Sequence, residues 1–303
     1  MTSTHSRRLY STLLQTLKKK NTIETSELAA LLSTNTPNLA ILNATIPRRD
    51  YSPKNDHLQE RIPHSVYLDF KGFCDPNTKL SYMMPDLFHF TKMMRSINVR
   101  KTDNVVIYDK YRNISAPRTW FMMKYFGLPN VWVLNGTFEK WNAEGRQIER
   151  GQSEGALWVH GHSREERTGD FEFCENKKKV KKFEDMQKLV EAKQNGDQTP
   201  LLDGRIAKYY HKVHIPTAQS LPLDHVMDPQ YCFLNQDELI AKFKSVGVKD
   251  PLKDEVVFCC QRGITACIIE FALRSVGNEN TSVYDGSLEE WAIKTGMELP
   301  KDH

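Results

Sequence analysis

The sequence predicts an α/β protein built from two copies of one domain, each a mainly parallel sheet with helices on both faces. Three observations lead there. The stretch Val105–Trp141 is matched by Val256–Trp291, with Gly127 paired to Gly277, Gly136 to Gly286 and Trp141 to Trp291, each pair 150 residues apart. That period is far longer than those of solenoid repeats and marks a duplicated domain. Short apolar runs alternate with helical patterns, as strands joined by crossover helices do. The runs Val105–Tyr108 and Val256–Cys259 are nearly all apolar, which is how strands covered on both faces read. The length of 303 residues agrees, since domains usually take about 100–200 residues.

Taken in order, residues 1–25 form a basic N-terminal segment. Arg7, Arg8, Lys18, Lys19 and Lys20 precede the first acid, Glu24, and Leu9, Leu13 and Leu17 recur every fourth residue. An Arg- and Ser-rich, acid-poor, amphipathic stretch has the character of a mitochondrial presequence, or of an arm that docks on a protein assembly. The first domain, residues 26–150, runs from a strand near Ala40–Leu42 through an Ile62-Pro63 turn into a second strand. A helical segment, the strand Val105–Tyr108, a tight loop, an apolar helix and the short strand Val131–Leu134 follow. A polar linker at 151–170 leads to the second domain, residues 171–303. There the run KKKVKK (Lys177–Lys182) opens a helix as a solvated start or as a surface for an acidic partner. Strands are expected at Leu201–Leu202, Val256–Cys259 and Ser282–Tyr284, with a helix over Cys267–Ser275.

Composition excludes several classes of function. With 39% hydrophobic and 26% charged residues the chain has the balance of an ordinary globular protein. No apolar run approaches the ~20 residues of a membrane span. A net charge of +4 from 42 basic and 38 acidic residues is too small to suggest a nucleic-acid partner. The six cysteines form no CxxC pair, so neither a metal site nor a cofactor is expected, and a reducing compartment fits them best.

Chemistry concentrates at Cys260-Gln261-Arg262-Gly263-Ile264-Thr265-Ala266. Cys260 ends a buried strand and the loop opens a helix. Successive backbone N–H groups in such a turn form an anion-binding concavity, and the helix N-terminus adds positive potential. Both favour thiolate over thiol. Gly263 permits a backbone conformation closed to other residues, Thr265 offers a hydroxyl and Arg262 a fixed cation. By spacing alone, the cup suits a persulfide anion, an oxyanion or a phosphate, and a strand-end cysteine is often an inert core thiol. Cys259 points to the opposite face of the strand and reads as a spectator.

The loop and its surroundings resemble the tandem-domain rhodanese family, the thiosulfate and mercaptopyruvate sulfurtransferases. CQRGITA matches the family's Cys-x-x-Gly-Val-Thr-Ala with Ile264 for Val, and Asp109 stands where the inactive first copy lacks the cysteine. RIPHSVYLD (Arg61–Asp69), Met84-Pro85, SAPRTWFMMKYFG (Ser115–Gly127), VLNG (Val133–Gly136), LLDGR (Leu201–Arg205), HIP (His214–Pro216) and YDGS (Tyr284–Ser287) recur as well, over roughly residues 40–295. The resemblance implies two rhodanese-like domains and transfer of a sulfane sulfur from thiosulfate through a Cys260 persulfide to cyanide or a thiol. It also implies an anion-side role for Arg205. Arg262 in the loop, and Arg61 where the mercaptopyruvate branch has His, place the chain nearer the thiosulfate type. Three positions depart from the pattern: Leu288 replaces the aromatic after Asp-Gly-Ser, Ile46 replaces a first-domain aromatic, and only eight residues, Ile206–Val213, separate Arg205 from HIP. These departures support a second expectation, a weakly active or inactive rhodanese-fold subunit of a mitochondrial assembly.

Overall fold

The computed structural model describes residues 12–34, 36, 38–151 and 170–300, and these fall into two compact units. Unit 1 comprises the chain through Cys74, Pro85–Glu175 and Gln230–Cys232. Unit 2 comprises Asp75–Met84, Asn176–Pro229 and the chain from Phe233 onward.

The strands of unit 1 are β1 (Thr22–Ile23), β2 (Leu39–Asn43), β4 (Ser65–Tyr67), β5 (Asn104–Tyr108) and β6 (Val131–Leu134), paired in the order β1-β6-β5-β2-β4. Every pairing is parallel. Two further strands, β3 (Glu60–Arg61) and β7 (Glu149–Arg150), form a separate antiparallel ribbon. Its register brings Arg61 beside Glu149 at 2.6 Å, and Arg61 is fully buried. β5 and β6 are buried at every position, which explains their unbroken apolar character. Helices α1 (Thr25–Ser33) and α5 (Thr137–Ala143) cover one face. Leu28, Leu31, Phe138 and Trp141 pack there with Ile41, Val106, Tyr108 and Trp132. Helix α4 (Ala116–Tyr125), packed against β5 and β6, is buried along nearly its whole length. Helices α2 (Pro53–Gln59) and α3 (Leu87–Ser96) complete the unit.

Unit 2 repeats this plan with β8 (Val180–Lys181), β9 (Leu201–Asp203), β10 (Gln219–Ser220), β11 (Val256–Cys259) and β12 (Thr281–Tyr284) in the order β8-β12-β11-β9-β10, again all parallel. Strand for strand this is the order of unit 1. Helices α6 (Phe183–Gln194) and α10 (Ser287–Thr295) supply Met186, Val190, Leu288 and Trp291 to a core shared with Leu201, Val257, Cys259 and Tyr284. Helix α9 (Ile264–Ser275) packs on β11, β12 and helix α8 (Gln236–Ser245), and the short α7 (Ala207–Tyr210) follows β9. The lysine run becomes a 3-10 turn, Lys177–Lys179, then edge strand β8, and only then α6.

Part of the basic segment differs from the separate arm expected of residues 1–25. Residues 12–17 are helical, Leu17 is fully buried in the unit 1 core, and Leu13 and Leu14 pack against it. The Trp132 indole N–H donates to the Leu17 carbonyl (2.8 Å), and β1 joins the sheet edge. Leu13 and Leu17 thus belong to the packed face of a helix, while Leu9 lies outside the described residues. Residues 1–11, with Arg7 and Arg8, and most of the 151–170 linker lie outside the described residues. Among the described residues no helix is long and apolar enough to cross a membrane.

Gly204, just after β9, allows the close approach between this strand end and α9. Its N–H donates to the Cys259 carbonyl (3.0 Å), and a Cβ there would lie 2.6 Å from the Thr265 carbonyl oxygen. Backbone on both sides leaves no flexible group to yield. Gly204→Ala is expected to lower unfolding stability by about 1–3 kcal/mol, read as a shift in the denaturant midpoint. An unchanged midpoint would show that α9 can slide.

Candidate active site

In parallel sheets, sites gather beyond the carboxyl ends of the strands, and Cys260 lies there, directly after β11. Its residue is 2% exposed. The loop turns at Gly263, whose φ of +75° places it in the left-handed region that favours glycine. Helix α9 begins at Ile264, three residues earlier than the sequence pattern suggested, because Gly263 itself is the N-cap.

The loop is held from the opposite turn by Ser287, a residue the sequence analysis placed within YDGS without a role. Ser287 is fully buried with φ of +50°. Its Oγ accepts the backbone N–H groups of Cys260 and Gly263, each at 3.1 Å. The Ser287 hydroxyl proton goes to the Tyr284 carbonyl at 2.7 Å. At 4.0 Å from Cys260 Sγ the hydroxyl is therefore a neighbour of the sulfur more than a donor to it. Two more bonds, Leu288 N–H to the Cys260 carbonyl and Glu289 N–H to the Gln261 carbonyl, both 3.0 Å, lash the start of α10 to the loop.

Unit 1 reveals what this kind of loop binds. At the position matching Cys260, buried Asp109 accepts N–H bonds from Tyr111 (3.0 Å), Asn113 (3.1 Å), Ser115 (2.9 Å) and Ala116 (3.0 Å). The loop gathers backbone donors onto one anionic side chain. Counting back from the paired glycines Gly127 and Gly277, Ser115 and Ala116 correspond to Thr265 and Ala266, first-turn residues of α9 whose N–H groups have no intrahelical acceptor. Burial pushes the Asp109 carboxyl up to about 6, against the downward pull of its N–H bonds.

The remaining predicted residues divide. Gln261, Arg262, Ile264 and Thr265 are partly exposed and Ala266 is buried. The Thr265 hydroxyl oxygen is buried and has no hydrogen-bond partner among the described residues. Arg205, 4% exposed, is turned back on its own strand. Its Nη2 meets Asp203 at 2.7 Å and the Val213 carbonyl at 2.7 Å, its Nε lies 3.0 Å from Asp203, and only Nη1 reaches the loop, at Gln261 Oε1 (3.3 Å). Arg262 Nε stands 3.7 Å from Glu289. Asp203 and Glu289 were not anticipated: Asp203 stands two residues from Arg205 in LLDGR without a role assigned to it, and Glu289 is one acid among 38 until the fold brings it beside Arg262. Leu288 lies fully buried in the unit 2 core, so its exchange for an aromatic is a packing change. Burial pushes the Cys259 thiol well up, and the nearby Asp203 carboxylate adds to the shift. Cys259 is thus an inert core thiol.

With two copies of a five-stranded parallel sheet and a strand–loop–helix anion cradle at the end of each central strand, the class is a duplicated α/β protein with one cysteine-bearing site. The rhodanese-like domain model matches residues 26–144 and 185–294, and the chain belongs to that family. Its relatives are sulfurtransferases. It is 27% identical over 266 residues to thiosulfate/3-mercaptopyruvate sulfurtransferase 2 of Arabidopsis thaliana, covering 82% of this chain and 77% of that protein. To thiosulfate sulfurtransferase of Rattus norvegicus it is 28% identical over 278 residues, covering 84% and 85%. The fold is that of the crystal structures of Tum1 from Saccharomyces cerevisiae (TM-score 0.78, 23% identity, 92% and 96% covered) and SseA from Escherichia coli (TM-score 0.76, 24% identity, 88% and 98% covered).

Two outcomes follow from this geometry. Ser287→Ala leaves two buried N–H groups without their acceptor and is expected to cost about 1–3 kcal/mol of stability, with loss of amide-exchange protection at Cys260 and Gly263. Protection equal to wild type would show that another acceptor suffices. The Asp109 carboxyl, followed by NMR, should titrate near 6. Since its folded value lies above the unfolded value of 3.8, its contribution to stability is full below pH 3.8 and is lost as the pH rises to about 6. Titration at the ordinary carboxyl value would mean that the N–H bonds fully offset burial.

Proposed function

We propose that this protein is a thiosulfate-type sulfurtransferase that works by double displacement at Cys260. The Cys260 thiolate attacks the outer sulfur of thiosulfate, a Cys–S bond forms, the S–S bond of thiosulfate breaks, and sulfite leaves with the electron pair. The resulting persulfide gives its outer sulfur to cyanide or a thiol, restoring the thiolate. Covalent catalysis of this kind divides one transfer into two easier ones. Preorganised N–H groups stabilise charge on the sulfur in both states.

The observation that carries the proposal is the Asp109 cradle. The same loop that in unit 1 directs four backbone N–H groups at a carboxylate holds a cysteine in unit 2, with Gly263 and Ser287 fixing its turn. Gln261, Arg262, Ile264, Thr265 and Ala266 form the rest of the cup, and Arg205 steadies it through Gln261. Preference for thiosulfate is supported by Arg262 in the loop. It is also supported by Arg61, whose guanidinium is committed to Glu149 and to the Gly151 carbonyl (2.8 Å) where the mercaptopyruvate branch carries His. A mitochondrial location is supported by the acid-poor N-terminal stretch and by a relative named as mitochondrial, thiosulfate/3-mercaptopyruvate sulfurtransferase 1 of Arabidopsis thaliana. Because residues 12–25 contribute to the unit 1 fold, any removable address lies ahead of them.

The test is cyanide-dependent thiocyanate formation from thiosulfate, with mass spectrometry of the protein after exposure to the donor alone. Wild type is expected to gain one sulfur, +32 Da (roughly one sulfur atom on the Cys260 thiolate), and to turn over, while Cys260→Ser does neither. Equal activity in the variant, or none in wild type, would overturn the proposal.

A further inference from the structure

We propose that Glu289 is a built-in counter-ion that competes with the sulfur donor for Arg262 and so tempers the affinity for thiosulfate that Arg262 confers, in proportion to the donor's charge. The inference rests on the sulfurtransferase reading above and concerns which anions the Cys260 loop admits.

Glu289 is the third residue of α10, and its backbone N–H is bonded to the Gln261 carbonyl at 3.0 Å, so it rides on the catalytic loop. Its carboxylate is anchored by Ser81 through both oxygens. Oε2 accepts the Ser81 backbone N–H at 3.0 Å and Oε1 accepts the Ser81 hydroxyl at 3.3 Å. Ser81 belongs to the Asp75–Met84 segment of unit 2, and that segment is itself tied down by the Met84 N–H to Asp285 at 2.7 Å. Anchored this way, Oε1 faces Arg262 Nε at 3.7 Å.

An ordinary exposed pair contributes little because both side chains wander and water screens them. Here one partner is already fixed: the Glu289 side chain is 22% exposed while that of Arg262 is 42% exposed. The negative charge stays in place whatever the arginine does. The second cation offers no compensation, since Arg205 is neutralised by Asp203 at 2.7 Å with side chains 5% and 0% exposed. Two arginines beside the loop are therefore matched by two fixed carboxylates. Glu289 thus opposes the attraction of Arg262 for an incoming anion, and its repulsion grows in proportion to the anion's charge. Thiosulfate, with two charges, is penalised more than an isosteric donor with one.

The experiment compares wild type with Glu289→Gln, which keeps an acceptor for Ser81 and removes the charge. Donors are thiosulfate and its monoanionic isostere methanethiosulfonate, in which a methyl group replaces one oxygen. The expected result is a rise in kcat/KM for thiosulfate of about three- to ten-fold, the size of one partly screened charge. It should arise mainly through KM, with a distinctly smaller rise for methanethiosulfonate. The gap should close as salt is raised, because screening weakens exposed charges. A matching arm measures thiosulfate affinity by calorimetry in Cys260→Ser with and without Glu289→Gln, and the same tightening is expected. This arm needs no turnover, so absence of sulfur transfer would remove the functional reading while the binding result still decides the role of Glu289. In a double-mutant cycle, Arg262→Ala should cost more thiosulfate affinity in the Glu289→Gln background than in the background that keeps Glu289. Equal gains for both donors, a rise that persists in high salt, or unchanged or unmeasurable affinity in both proteins would overturn the proposal.

Discussion

The backbone N–H groups that collect where a buried parallel strand turns into a helix must be satisfied, and this requirement governs both halves of the protein. A buried donor left without an acceptor costs about 1–3 kcal/mol, so a loop that gathers several of them demands an anion or an arrangement of lone pairs. Unit 1 meets the demand internally: Asp109 takes four of these bonds on its two oxygens. Unit 2 meets it in part through Ser287, which accepts from Cys260 and Gly263. The two copies thus satisfy one backbone in different ways, by a carboxylate in unit 1 and by a hydroxyl in unit 2.

Charge at the reactive copy is balanced close to its source. A buried guanidinium without a partner would be severely destabilising, and breaking such a pair costs about 3–5 kcal/mol. Asp203 therefore accompanies Arg205 wherever the latter is held under the loop. The pair is placed by the sheet, since Asp203 ends β9 beside Cys259 of β11, where burial raises the Cys259 thiol and the same carboxylate adds to the shift. One acid thereby neutralises the arginine and adds to the burial that holds the neighbouring thiol up.

The sequence disclosed the elements whose signal is local. β5, β6 and β11 are buried at every position, so their apolar runs are visible, and the 150-residue register of the paired glycines exposes the duplication. The edge strands β1 and β8 have two residues each, too few for any periodicity, and they emerge only from pairing with β6 and β12. Cys260 was legible because strand, loop and helix are contiguous. Ser287 and Glu289 were not, because their roles depend on partners that the chain brings back from elsewhere, 27 residues away for Ser287 and Cys260 and 208 for Glu289 and Ser81. Leu288 misled for a related reason: its position in the motif suggests a pocket wall, whereas its side chain lies in the core.

The asymmetry between the copies extends beyond the cysteine. Thr137 occupies the place of Ser287, with φ of +64° against +50°, and the following N–H bonds the strand end in both: Phe138 to the Asp109 carbonyl at 3.1 Å, Leu288 to the Cys260 carbonyl at 3.0 Å. The backbone has kept its form while the hydroxyl has changed partner. Thr137 Oγ1 donates to the Glu139 carboxylate and accepts the Glu139 N–H at 3.2 Å, leaving the loop donors to Asp109. Glu139 in turn adds its negative charge to the surroundings of Asp109, in the direction that raises the Asp109 carboxyl. Replacing Asp109 by cysteine would therefore strand donors that no serine-like acceptor is positioned to take, and would set the thiolate near an acid. A cysteine at this strand end needs a hydroxyl placed to take the loop donors, and among the described residues unit 2 has the two together, Cys260 and Ser287.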